Sequence, residues 1–152
     1  LVLSWAGLRY NAAGDGGGGG YLTGLGTTSV TNSDIDNNTA DRGGGLDLRP
    51  PHRVTLEDSA LLYNTASFGG GFATWETARL DCVDSDVRAN TGDTKGGGAW
   101  LLPSDSAIAL TSAGCAWSEN TRTDVHNTQT AYVGTDGEWE CAGLSCDLEK
   151  AP

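Results

Sequence analysis

Carboxylates that recur at a fixed spacing are the residues of this chain best suited to chemistry. Asp58 and Asp84 each stand six residues before an asparagine, Asn64 and Asn90, and Asp34, Asp36 and Asp86 lie close by. Two carboxylates held on neighbouring segments can divide acid and base roles on a polysaccharide, or, joined by Asp86, offer oxygen ligands to Ca²⁺. The same column carries Asn32 one repeat earlier and Gly114 one repeat later, and no Arg, Lys or His recurs beside it. Long loops that would wall a substrate groove are also missing. The expectation is a chain without catalytic residues and without a required cofactor, in which Asp58, Asp84 and Asp86 are the candidate Ca²⁺ ligands.

Cysteine is the other reactive type. Cys82, Cys115, Cys141 and Cys146 all fall in the second half of the chain, a grouping that fits disulfides formed in an oxidising compartment. Zinc is the rival, but only Cys141 and Cys146 are close together, and His52 and His126 occupy no repeated position. A Cys141–Cys146 loop would leave Cys82 and Cys115 on neighbouring segments, which is the preferred pairing. Cys115 to Cys141 spans one full repeat and keeps a second connectivity open.

The elements that would position these groups follow from a repeat. Asn11, Asn38, Asn64, Asn90 and Asn120 are separated by steps of 27, 26, 26 and 30 residues. Three residues before each stand Leu8, Ile35, Leu61, Val87 and Trp117, all large and apolar. Eight before come Leu3, Val30, Leu56, Cys82 and Ser112, and ten before come Leu1, Thr28, Val54, Leu80 and Leu110. The last two columns differ by two residues with polar types between them, so they share one face of an extended strand. Five before each Asn the column is small: Ala6, Ser33, Ser59, Ser85 and Cys115.

A unit of this length with short strands and no helical periodicity is too short for a propeller blade and lacks leucine-rich spacing. The expected fold is all-β: a right-handed parallel β-helix, a solenoid of five to six coils with about 26 residues per coil, in which equivalent residues stack about 4.8 Å apart. Asn at a bend can satisfy backbone groups with both its carbonyl and its amide. Glycine supplies backbone angles that other residues reach only with strain. Asn11, Asn38, Asn64, Asn90 and Asn120 therefore read as an inward ladder, and Gly18, Gly43, Gly69 and Gly96 as corners. The expected organisation is a single domain, with coils over 1–114 and a last coil plus disulfide-containing cap over 115–152.

A net charge of −11 leaves no basic patch for phosphate, which excludes nucleic acid as a partner. The longest apolar runs fall far short of the roughly 18 residues a membrane-spanning helix needs. No signal peptide and no initiating Met are visible, as expected of a processed protein or a piece of a longer one.

The pairing of a large apolar residue, two others and Asn with Gly-Gly-Gly before an apolar residue resembles the repeats of polymorphic outer-membrane proteins and related adhesins. The first motif is present as Leu8-Arg9-Tyr10-Asn11, Ile35-Asp36-Asn37-Asn38, Leu61-Leu62-Tyr63-Asn64 and Val87-Arg88-Ala89-Asn90; the second leads into Tyr21, Leu46, Phe72 and Ala99. The family's Phe is replaced in every copy. The stretch "CAWSENTRTDVHN" and the later "EWECAGLSC" are similar to the C-terminal ends of secreted β-helix proteins of myxobacteria-like organisms. Over roughly residues 1 to 146 the resemblance implies a β-helix outside the cell or on its surface.

The functional expectation is a non-enzymatic extracellular structural protein, a filament subunit or a segment of a surface adhesin. The alternative is a module that binds surface glycans or a receptor; a polysaccharide lyase or hydrolase comes third. An aromatic row on an outer face would favour glycans; Tyr21, Phe72 and Trp100 follow their glycines, though the simpler reading makes them core. Leu1, Val2 and Leu3 enter in register with the strands below and are the expected contact for end-to-end self-association. The sequon Asn37-Asn38-Thr39 and the outward file Thr39, Thr65 and Thr91 are candidate glycosylation positions.

Overall fold

A computed structural model of the chain describes residues 1–103, 110–121, 125–127 and 146–148. These residues form a β-solenoid of about four turns with about 26 residues per turn, built only from parallel strands. The strands fall into four sheets. The first contains Val2–Ser4, Thr27–Thr31, Arg53–Glu57, Arg79–Val83 and Leu110–Ala113. The second contains Gly7–Arg9, Asp34–Asp36, Ala60–Leu62, Asp86–Arg88 and Ala116–Ser118. The third is short, with Thr39–Arg42, Thr65–Phe68 and Thr91–Lys95. The fourth runs through Gly20–Leu22, Leu46–Leu48, Phe72–Glu76, Ala99–Pro103, Val125–Asn127 and Cys146–Leu148.

The apolar columns of the sequence are the strand register. Leu8, Ile35, Leu61, Val87 and Trp117 are successive Cα partners in the second sheet. Val54, Leu80 and Leu110 align in the first, and Leu46, Phe72, Ala99 and Val125 in the fourth. Their side chains fill one continuous core, with Val54, Leu61, Phe72, Leu80 and Leu110 fully buried. Because strands alternate with period two, a one-residue slip would turn this set to solvent, so the pattern fixes the register.

Three corners per turn hold a residue in the left-handed region. One column is Trp5, Asn32, Asp58, Asp84 and Gly114; a second is Tyr10, Asn37, Tyr63, Ala89 and Glu119; the third is Gly17, Gly43, Gly69 and Gly96. The third requires glycine for space as well as angle: a Cβ on Gly69, at φ +68°, would lie 2.2 Å from the Phe72 carbonyl oxygen. The first coil corrects the expected register. Its left-handed glycine is Gly17, bonded to Arg42 as Gly43 is to Phe68, so Gly18 is the counterpart of Gly44 and Gly70. The run of five glycines from 16 to 20 hid which one turns the corner.

Candidate functional site

The carboxylate column lies along an open groove of about 560 Å³ between the first and second sheets, lined by Asp34, Asp58, Asp84 and Asp86 over the serine column. The bend places them. Asp58 (φ 46°) and Asp84 (φ 44°) are the left-handed residues of successive corners, and Asn32 and Gly114 hold the same place in neighbouring rungs. Asn, Asp and Gly are the types that tolerate this conformation. Backbone geometry thus accounts for the residue types in this column. A Cβ on Gly114 would sit 2.0 Å from Asp84 Oδ1, so that carboxylate reaches over the next corner. Asp34 is paired with Arg9 of the rung before it, whose Nε also lies 2.9 Å from Asp36. Among the described residues no three His, Cys, Asp or Glu side chains are gathered to hold a metal ion. Asp58 and Asp84 sit one rung apart on the groove wall, and Asp86 belongs to the strand beyond the bend.

The asparagines form the expected ladder. Asn38 Nδ2 donates to the Leu8 carbonyl (2.7 Å) and to Asn64 Oδ1 (3.0 Å), while Asn38 Oδ1 accepts the Asn11 amide N–H and Asn11 Nδ2, both at 3.0 Å. Asn64 and Asn90 repeat this arrangement, and Asn120 Nδ2 donates to the Val87 carbonyl (2.9 Å). Asn38, Asn64 and Asn90 are fully buried with every polar valence used. Composition concealed a second ladder. Ser33, Ser59 and Ser85 each accept a backbone N–H from the rung before, at 3.0 Å, and donate at 2.7 Å to a carbonyl two residues earlier. Smallness was legible in that column; the hydroxyls were the overlooked signal.

Cys115 occupies the serine position in the fifth rung, and its sulfur is bonded to Cys82, one of the two expected partners. The link ties the fourth rung to the fifth in the place where the hydroxyl ladder stops. Cys141 lies outside the described residues, as does the side chain of Cys146. His52 is buried at the corner between the fourth and first sheets, with Nε2 2.9 Å from Thr28 Oγ1 and Nδ1 3.2 Å from the Gly24 carbonyl. His126 is in a strand whose side chain lies outside the described set.

The outer face of the fourth sheet carries a layer that the sequence reading missed. Asp47 points away from the core yet has no solvent exposure. Arg49 Nη2 donates to its Oδ2 (2.8 Å), and Trp75 Nε1 donates to its Oδ1 (2.8 Å). The Arg49 guanidinium lies 4.1 Å from the Trp75 ring centre and 5.6 Å from that of Tyr21, and Arg42 covers Trp75 at 5.5 Å. Trp100 meets Trp75 edge-on at 5.0 Å and Phe68 at 4.8 Å. Burial pushes the Asp47 carboxyl above its ordinary value, while Arg49, then Trp75 and Arg42, pull it back. Of the three aromatic residues read most simply as core, Phe72 is core, whereas Tyr21 and Trp100 share the outward column of Asp47, a correction that strand parity explains. The signal available was parity: Asp47, Trp75 and Trp100 sit at outward positions of strands in register, and Arg49 follows directly after the strand Leu46–Leu48.

Leu1 donates its amino group to the Thr27 carbonyl (3.0 Å), and Val2 and Leu3 pair with Ser29 and Val30. Leu1 is 69% and Val2 71% exposed, whereas Leu3 packs on the core. Asn37 is half-buried with its Nδ2 donating to Asp36 Oδ1 (3.1 Å); Thr39 is exposed, and Thr65 and Thr91 are half-buried. No helix among the described residues is long and apolar enough to cross a membrane. Compared with known protein families, with curated proteins and with solved structures, the chain has no match, so its likeness to outer-membrane-protein repeats reaches as far as the β-solenoid itself.

Proposed function

We propose that this chain is a non-enzymatic scaffold: a rigid β-solenoid segment of an extracellular filament or of a surface adhesin such as the polymorphic outer-membrane proteins its repeat resembles. One observation carries the reading. Two of the recurring polar columns are consumed by the backbone: the asparagine and serine ladders bond successive rungs. Chemistry needs side chains left over for a substrate, and those of both ladders are spent on stacking the coil. The work that remains for such a body is to hold a fixed length and shape and to resist proteases.

Limited proteolysis with hydrogen exchange, alongside electron microscopy of the native, unreduced protein, tests this. Expected are short uniform rods whose rungs two to four resist both cleavage and exchange. Rapid cleavage within those rungs, or turnover in a panel of polysaccharides, overturns the proposal. A second reading, binding of surface glycans, is favoured by the half-exposed Tyr21 beside Arg49 and Trp75 on the outer face; a glycan array lost on Tyr21→Ala is its test.

A further inference from the structure

The serine ladder stops where the cysteines begin. In rungs two to four the hydroxyls of Ser33, Ser59 and Ser85 accept an N–H from the rung before and donate to the carbonyls of Thr31, Glu57 and Val83. Cys115 holds the next place in this column, and by the same register that place falls between the Ser85 N–H and the Ala113 carbonyl. A thiol can take it, since sulfur accepts and S–H donates, each weakly. In the cross-linked chain the Cys115 sulfur is bonded to Cys82 instead. A serine here would only continue the ladder, and a cystine outside the column would only cross-link. Cysteine at this place does one or the other according to its redox state.

The two sulfurs differ in access. Cys82 is 1% exposed and lies between Leu56 and Ser112 in the first sheet, whereas Cys115 is half-buried and follows Gly114, which lines the open groove. In thiol–disulfide exchange, access decides which sulfur a thiolate strikes. The Asp84 carboxylate stands over Gly114, where a Cβ would overlap its Oδ1. A negative neighbour favours the neutral thiol at Cys115 once the bond is open, and only that form can both donate and accept.

We propose that Cys82–Cys115 is a reversible redox clasp on the fifth rung, opened by a dithiol that strikes Cys115 Sγ. The attacking thiolate forms a mixed disulfide with Cys115 while the Cys82 sulfur leaves and is protonated in the core. The second thiol of the reductant then breaks the mixed bond, so the dithiol is oxidised to a disulfide and its two protons end on the two cysteines. The freed Cys115 thiol takes the serine place. The bend passes from a covalent tie to a weaker hydrogen-bonded one and the rung stays folded, held also by Asn120 on Asn90 and by Thr121 Oγ1 on the Gly92 N–H (3.0 Å).

Hydrogen exchange of the full chain, oxidised and in dithiothreitol, tests this. The Ala116 amide, bonded to the Ser85 carbonyl (2.9 Å), reports on the bend, and the Ala60 and Asp86 amides hold the same place in rungs three and four. Reduction is expected to speed Ala116 exchange by about tenfold and to leave the other two unchanged. In dithiothreitol, Cys82→Ala keeps the Cys115 thiol and should protect Ala116 about fivefold better than Cys82→Ala/Cys115→Ala, which has the same core change and no thiol. Trapping of the wild type with 2-mercaptoethanol, read by mass spectrometry of each cysteine's peptide, should place the adduct on Cys115. Unchanged Ala116 exchange on reduction, protection lost in rungs three and four as well, equal rates in the two variants, or an adduct chiefly on Cys82 overturns the proposal. The scaffold reading is judged apart, by rungs two to four of the oxidised chain.

Discussion

Replacing Asn64 by Ala probes the ladder at its most enclosed point. Asn64 is fully buried, and its side chain makes four bonds: Oδ1 accepts from the Asn38 amide and from Asn38 Nδ2, and Nδ2 donates to the Ile35 carbonyl and to Asn90 Oδ1. Asn90 Oδ1 keeps the Asn64 backbone N–H after the change. Two donors lose their partner, the Asn38 amide and one Nδ2 hydrogen of Asn38, while the Ile35 carbonyl keeps its place in the strand ladder with the next rung. A buried unsatisfied group costs about 1–3 kcal/mol, and a water admitted to the vacated space recovers part of it, giving an expected loss of about 2–4 kcal/mol. For a chain of this size that lowers the melting temperature by about 4–16 °C. Asn11→Ala is the internal control, because Asn11 is exposed and Asn38 Oδ1 retains the Asn11 backbone N–H; it should cost under about 1 kcal/mol. Thermal unfolding followed by circular dichroism, with exchange of the Asn38 amide, reads both. Equal losses for the two variants, or a loss below about 0.5 kcal/mol at Asn64, would refute the ladder as a source of stability.

Other outcomes follow from single contacts. The Cys82→Ala/Cys115→Ala chain gives up a cross-link between residues 33 apart, worth about 3–4 kcal/mol of loop-closure entropy, and its urea midpoint should fall accordingly; an unchanged midpoint would contradict this. Gly69→Ala should destabilise by more than about 1 kcal/mol, because its φ is +68° and its Cβ would meet backbone, while Gly14→Ala should be neutral or stabilising by about 0.4–1 kcal/mol; reversed signs in denaturant melts would sink the corner assignment. Burial raises the Asp47 carboxyl in the folded state, so folding takes up a proton more readily than the unfolded chain does. Wild type should therefore gain stability relative to Asp47→Asn as pH falls from the raised value toward 3.8, and gain no more below it; a gap that widens with rising pH would reverse the reasoning.

The period, the inward columns and the asparagine ladder were all legible in the sequence, because a solenoid repeats one local solution and each rung restates the last. Leu8, Ile35 and Leu61 have the same neighbours in every turn, so spacing alone fixed the strands and their register. The corner glycine of the first coil was misplaced by one, since in a run of identical residues only the backbone path distinguishes Gly17 from Gly18.

What depended on three dimensions was the fate of side chains with more than one use. That the recurrent Asp58 and Asp84 stand at left-handed bends was visible only in the backbone angles of the folded coil. Asp47, Arg49 and Trp75 come from two rungs and form one layer only when the fourth sheet brings them side by side. Periodicity determines which residues stack along the axis. Contact across the outer face also depends on side-chain reach, direction and burial, which the folded coil alone defines.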